Sequence, residues 1–337
     1  MSATQTPETG TAPPVPAPLP KAAEQGAAHG SDPTDGLLPG RPLPARRPGR
    51  WAATAVTLVV VAQLVHGLVT NRAFQWTVVG DWFVDPVVLD GLRITLEVTA
   101  LSAVLGGALG VLLALARLSG VPLLQGASWV YVWIFRSVPM LVLLLLVFNF
   151  NALYSRLQVG VPFGPGFAHV DTLTLLGSPL VIAVVGFTLN EAAYAAELVR
   201  GGILSVDQGQ LEAASALGLP KHRQYTRIVL PQALRAIVPT YVNQIIGLVK
   251  GTSLVYYVSL LDLFGQVQTQ NSRVPQDIIP LYLVATIWYV VLTSALGVVQ
   301  YYVERRYARG HVRSLPPTPL QRLRARVASL RPQQVAA

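Results

Sequence analysis

The chain has 337 residues, of which 52% are hydrophobic and only 12% charged, with a formal net charge of +9 at pH 7 and no cysteine. Its apolar residues gather in blocks close to the ~20 residues a helix needs to cross a bilayer, which excludes a water-soluble globular domain and indicates a polytopic membrane protein. Without cysteine, neither a disulfide framework nor a thiolate metal site can be built.

Residues 1–48 are rich in Pro, Ala, Gly and polar side chains with no apolar period. Such a stretch buries too little surface to offset the entropy of ordering, and is expected to be a disordered arm. The basic run Arg46-Arg47-Pro48-Gly49-Arg50 lies too far from the start, and the apolar run after it lacks the small-residue ending, for a cleaved signal peptide. Six spans follow: Trp51–Val69, Leu92–Leu118, Ala127–Phe150, Pro179–Val199, Ala236–Leu261 and Ile279–Val303. Hydrocarbon offers a backbone amide no partner, so each span is expected to be helical, and the fold class is all-α with no place for sheet. Within the third span, Pro139 removes a backbone donor, so Arg136-Ser137-Val138-Pro139 is read as a kinked helix entry. The stretch Asn151–Ser178, with Pro162, Gly164, Pro165 and Gly166, reads as an ordered, lid-like turn region. Residues 304–337 form a basic tail suited to resting on a lipid surface.

Most of the 25 Lys and Arg fall on one side of the membrane when the N-terminus is placed inside, leaving Arg72, Arg93, Arg156 and Arg273 outside. Because basic residues near span ends are retained in the cytoplasm, both termini are expected there. The basic residues sit at span ends and are not interleaved with aromatics on a soluble module, so the charge calls for no nucleic acid. The five histidines show no ligand spacing, so no metal site is expected.

The segment Gly201–Arg235 is far longer than the roughly two to eight residues that usually join helices. Ser205-x-x-Gln208 offers a helix start, Leu211, Ala214, Ser215 and Gly218 recur at helical spacing, and Gly218-Leu219-Pro220 offers a stop. Pro220 suits the first turn of a second short helix bearing Tyr225, Ile228 and Val229, and Pro231 suits the first turn of the element that enters the membrane. The small Ala213 and Ala214 are expected to let another surface approach, and Glu212 to offer it a carboxylate.

Ionisable residues inside spans are costly and usually face a bundle interior or a water-filled cavity. Asn190, Glu191, Tyr194 and Glu197 in the fourth span, and Asn243, Lys250, Thr252 and Ser253 in the fifth, are therefore candidates for lining a pathway. Three- and four-residue steps put Asn190, Tyr194 and Glu197 on one face, and Asn243, Gly247 and Lys250 on another. A zwitterionic amino acid would need a carboxylate for its ammonium, for which Glu191 is the first choice, and a donor for its carboxylate. The competing reading is structural, with Glu197 pairing with Arg200 and Lys250 snorkelling to a polar boundary.

The spacing Glu212-Ala213-Ala214, three residues, Gly218, nine residues, Ile228-x-Leu230-Pro231 resembles the cytoplasmic loop of permease subunits in binding-protein-dependent ABC importers. The flanking runs Gly91-Leu92-Arg93-Ile94-Thr95-Leu96, Phe135-Arg136-Ser137-Val138-Pro139, Ala193–Gly202 and Leu248–Val255 are similar to the polar-amino-acid branch, the histidine, glutamine and glutamate type. The resemblance runs from about Gly91 to Gly310. It implies a five-helix type I permease core over 91–303, with 49–70 as one extra N-terminal transmembrane helix, in the cytoplasmic membrane. It also implies that Glu212, Ala213, Ala214, Gly218, Ile228, Leu230 and Pro231, within the 201–235 loop, dock a dimer of ABC ATPases. A second permease chain, identical or different, would complete the pathway, and an extracytoplasmic amino-acid-binding protein would deliver the cargo. ATP and Mg would belong to the partner, because a phosphate loop needs Gly before its Lys, whereas Lys21, Lys221 and Lys250 follow Pro20, Pro220 and Val249. An ion-coupled secondary transporter or channel is the alternative, although no second copy of the loop or of the fourth-span motif marks the repeated halves common in such carriers.

Overall fold

A computed structural model describes residues 48–160 and 166–307. The N-terminal arm before Pro48, the basic tail beyond Tyr307, and Pro162, Gly164 and Pro165 lie outside the described residues.

Helix α1 spans Pro48–Thr70 and is apolar all round. None of its residues from Trp51 to Thr70 is buried. Asn71 then caps a 3-10 turn, Arg72–Phe74, with its side-chain oxygen 2.9 Å from the Ala73 amide. The short amphipathic helix α2, Trp76–Phe83, was not marked by any span-length block, and it stacks Phe83 on Trp288 at 4.6 Å.

Asp85 accepts a 2.8 Å hydrogen bond from the Val87 amide and Pro86 opens α3, Pro86–Leu118, so the helix starts a turn and a half before the expected Leu92. Small residues line the buried side of α3, including Ala103, Gly110 and Ala114, and this side packs on α8, Pro179–Leu204. A Cβ at Gly110 would stand 2.5 Å from the Ala195 Cβ and 3.0 Å from the Ala192 carbonyl, so only glycine allows this approach. Between these helices lie α4, Pro122–Ser137, and α5, Met140–Phe148, followed by a single turn α6, Phe150–Leu153. The α4 and α5 axes meet at 105°, so Val138-Pro139 breaks the third span outright where a kink was expected.

Strands β1, Arg156–Gly160, and β2, Gly166–Asp171, form an antiparallel ribbon, with an ion pair of 3.0 Å between Arg156 and Asp171 at its open end. This corrects the expectation that sheet has no place in the chain. The ribbon lies between spans, where water can satisfy its free edges. A turn α7, Thr172–Leu175, leads into α8, which continues beyond the expected Val199 to Leu204.

Beyond α8 come α9, Gln208–Ala216, and α10, Lys221–Gln224. A π-turn, Tyr225–Val229, joins α10 to α11, Leu230–Gly251, which passes into a 3-10 segment, Thr252–Val258. The helical run Lys221–Val258 is thus continuous, and it bends by 47° into α12, Leu263–Arg273. A 3-10 turn, Pro275–Asp277, starts the last element, α13, Ile278–Tyr307. Among the described residues four helices are long and apolar enough to cross a membrane, and six spans result if each bent pair counts as one. The main core joins Val98, Leu144, Ile182, Phe187 and Val255, while Val88, Leu263 and Val284 form a second cluster.

Candidate functional site

Asp207 starts α9 by accepting a 2.7 Å hydrogen bond from the Gly209 amide. Ser205, the cap expected from the sequence, instead closes α8, its hydroxyl donating to the Gly202 carbonyl at 2.8 Å. With Asp207 as the cap, the start lies two residues beyond the expected one. Gly218, at φ +69, ends the helix in the left-handed region where an L side chain is strained. Pro220 precedes α10 as its cap, not within its first turn, and Pro231 occupies the first turn of α11 as the sequence predicts.

Local packing makes this connection an ordered shelf. Val206, Val229 and Ala233 are buried together against Ile203, Leu211 and Ile237. The Gln224 amide donates to the Leu219 carbonyl at 2.8 Å and to the Ser215 hydroxyl at 3.1 Å, and Gln232 donates to the Gln210 side chain at 2.7 Å. Ala214 is 4% exposed, which corrects the idea that it opens the surface to a partner: its small size serves the chain's own packing. Glu212, Ala213, Gly218, Leu230 and Pro231 are exposed, while Ile228 is half-buried. Leu217 and Tyr225 add apolar surface that the motif spacing does not include, with Leu217 79% exposed at the α9 end.

A cavity of about 440 Å³ opens between the α3 end, α4 and α8, lined by Arg117, Trp129, Trp133, Arg136, Tyr194 and Glu197. Both Glu197 oxygens are engaged, one by Arg117 at 3.2 Å and the other by Arg200 at 2.7 Å. The structural pairing of Glu197 with Arg200 is therefore present, and Arg117 joins it from α3. Arg136 stands over the Tyr194 ring at 5.1 Å. Asn190 lies on the same α8 face but donates to the Phe135 carbonyl at 3.0 Å, tying α8 to the end of α4. Glu191 is separate. It is 2% exposed, packed where Gly106 of α3 faces it, with one oxygen 3.4 Å from the Gln244 amide.

A second cavity, of about 460 Å³, is lined by Lys250, Ser253, Phe264, Tyr282, Thr286 and Tyr289. Thr252 is not part of its lining: it is fully buried and donates to the Val249 carbonyl at 2.8 Å. Asn243 is exposed on α11, about two turns from Lys250, and also lies outside the lining. Asp262 is a residue that sequence reasoning missed. Fully buried at the α11–α12 break, it caps α12 through the Gly265 amide at 2.9 Å, and its other oxygen faces the hydroxyls of Tyr289, Thr95 and Thr252 at 3.2, 3.4 and 3.4 Å. No group of three or more potential His, Cys, Asp or Glu metal ligands occurs among the described residues.

Spans broken beside charged cavities, and an ordered shelf continuous with one of them, define a polytopic subunit of the transport type. Residues 106–309 match the family model for the binding-protein-dependent transport system inner membrane component. The chain is 38% identical over 281 residues to the arginine transport system permease protein ArgU of Corynebacterium glutamicum, covering 83% of this chain and 87% of that one. It is 37% identical to the glutamate/aspartate import permease protein GltK of Escherichia coli, covering 66% of this chain and 94% of that one. Among solved structures, an amino acid ABC transporter crystallised with histidines superposes with a TM-score of 0.56 at 28% identity, over 66% of this chain and 94% of its own. The chain belongs to the binding-protein-dependent transport inner membrane component family. It is a multi-pass permease subunit of an ABC transporter in the inner membrane, working with a separate ATPase that binds the nucleotide and with a substrate-binding protein. The alternative of an ion-coupled carrier or channel is set aside by this membership.

Proposed function

We propose that the chain is the permease subunit of an importer for a charged or polar amino acid, driven through the Gly201–Arg235 shelf by a dimer of ABC ATPases. The observation that carries the coupling is the unbroken helical run Lys221–Val258, which starts in the shelf and ends beside the Lys250 cavity. A push at the Tyr225 end of this continuous run is passed along it to the wall of that cavity, as a lever that switches access requires. Glu212, Ala213, Gly218, Ile228, Leu230 and Pro231 form the docking patch on this reading, with Leu217 and Tyr225 as apolar anchors and Ala214 as internal packing. The shelf and both termini then face the cytoplasm, and a second permease chain completes the pathway within the lipid bilayer. We take 91–303 as the permease domain and 49–70 as an added helix.

The cargo reading is supported by ArgU, an arginine permease, and GltK, a glutamate/aspartate permease, whose named substrates are charged amino acids. Tyr194, Glu197, Lys250 and Ser253 line the two cavities and are proposed to meet the substrate, while Asn190 and Thr252 hold the walls. Asn243 flanks the same α11 face, and Glu191, enclosed between helices, shapes the bundle beside the path.

The test is receptor-stimulated ATP hydrolysis and uptake by the complex reconstituted with its ATPase and binding protein. Gly218→Val together with Glu212→Ala is expected to lower both by about tenfold or more, the scale of losing a docking hot spot, while the membrane chains still co-purify. Uptake that persists at the wild-type rate in these variants, or without any ATPase, overturns the reading.

A further inference from the structure

Arg136 is exposed in the last turn of α4, within the third span, with no carboxylate within ion-pair distance among the described residues. The nearest acid in its cavity, Glu197, is already held by Arg117 and Arg200. Three arginines thus share one carboxylate beside this cavity, and an excess of charge within a membrane span is retained where it meets something that arrives.

The surroundings of Arg136 fix its direction as well as its charge. Its Cζ lies over the Tyr194 ring, 5.1 Å from the ring centroid, a cation–π contact that places the guanidinium beside α8. Among the described residues no hydrogen-bond acceptor engages its N–H fork, which leaves the fork free for a ligand. Asn190 clamps the adjoining Phe135 carbonyl, and the chain breaks immediately beyond, at Val138-Pro139, so the last turn of α4 is held from both sides. The free fork is thereby held at a cavity large enough for an amino acid, with Trp129 and Trp133 as its apolar wall. A planar two-oxygen anion is the ligand that this edge matches bidentately.

We propose that Arg136 is a binding residue for the α-carboxylate of the transported amino acid, with Tyr194 as the plate that orients it. This rests on the importer reading above and adds to it a named contact and the chemical group contacted. It gives the cavity a grip on the group that all α-amino acids share, so side-chain selectivity must come from elsewhere, including the binding protein. Both Glu197 oxygens are occupied by Arg117 and Arg200, so the cluster keeps a net positive charge and the Arg136 fork is left for the cargo.

The test uses the assembled permease–ATPase complex without its binding protein, since a receptor also reads the carboxylate. Radiolabelled L-arginine binding is measured by equilibrium dialysis, with L-argininamide, which lacks the carboxylate, as competitor. In the wild type the amide should compete about tenfold more weakly or worse, the scale of a charge-assisted fork on a carboxylate. Arg136→Gln should weaken arginine to the level of the amide and leave the amide unchanged. Arg136→Lys should fall between, and Tyr194→Leu, which removes the ring, should weaken arginine more than the amide. Equal weakening of arginine and amide in Arg136→Gln overturns the proposal, as does no change in either. So does a wild-type complex that binds no arginine yet hydrolyses ATP in response to an arginine-loaded receptor. Displacement of arginine by phosphatidylglycerol micelles, but not by amino acids, would reassign the fork to lipid phosphate and overturn it too. A complex whose ATPase answers to no receptor loaded with arginine, glutamate or cystine takes down the importer reading itself.

Discussion

Helices α1 and α8 are both membrane spans by length and composition, yet the more hydrophobic of them is the less buried. The Trp51–Thr70 stretch of α1 has a mean hydropathy of 2.0 and none of it is buried; the Pro179–Leu204 stretch of α8 has 1.4 and over half of its apolar window is buried. In water the order would be reversed. In a bilayer the lipid tails are as apolar as leucine, so greasiness does not drive a helix into the bundle. Small side chains that let backbones approach, and polar ones that find partners only inside, do that instead. On α8 most of the buried residues are small, among them Ala183, Gly186, Ala192, Ala193, Ala195 and Ala196, and they are joined by Ile182, Val184, Phe187 and Glu191, whereas α1 exposes Val, Leu and Trp along its length.

That contrast breaks first at glycine. Gly110→Ala on α3 puts a methyl 2.5 Å from the Ala195 Cβ of α8 and should give the largest loss, on the order of 1–3 kcal/mol of stability. The check is thermal unfolding of the purified complex, and Ala195→Gly in the same chain should restore part of the loss by making room. A smaller loss is expected from Glu197→Gln, which leaves Arg117 and Arg200 without their shared carboxylate at positions about a quarter to a third exposed. About 1–2 kcal/mol is the expected scale, below that of a fully buried pair because water reaches the cluster. Measured by the same unfolding, the double change Glu197→Gln with Arg117→Met should cost less than the sum of the two alone. Strict additivity would mean that the ion pair between α3 and α8 contributes nothing to holding them together.

The same physics explains what could be read from the chain in advance. Apolar blocks marked the four long helices to within about six residues at each end, because lipid imposes length and hydropathy regardless of tertiary partners, while the two bent pairs departed further from the blocks that marked them. The Gly218 stop and the Pro231 start were visible for a similar reason, since each depends on its own backbone. Features set by distant contacts were not visible. Asp262 looks like a loop residue until Thr95, Thr252 and Tyr289 converge on it, and their separation in sequence gives no period to detect. Arg117 meets Glu197 only because Gly110 lets α3 and α8 close. Helix α12 is polar on one side and α2 only eight residues long, so neither registers as a membrane element, and the 105° turn at Val138-Pro139 needs the packing of α5 to set it. Ala214 points the other way: a small residue in a docking motif reads as an open surface, and only the neighbouring turns show that it is occupied from within.

The smallest expected effect gives the sharpest test of the comparison, because it makes the same substitution in the other helix. A Cβ at Gly67 of α1 meets nothing within 4 Å. With no neighbour to strike, Gly67→Ala should be governed by helix propensity alone, and alanine is favoured over glycine by about 0.5–1 kcal/mol in a helix interior. The unfolding midpoint of the complex should therefore stay level or rise slightly, where Gly110→Ala lowers it. A loss at Gly67 as large as that at Gly110 would mean that α1 is tightly packed in the assembled transporter, against a second permease chain or the receptor, and that its apolar surface faces protein instead of lipid.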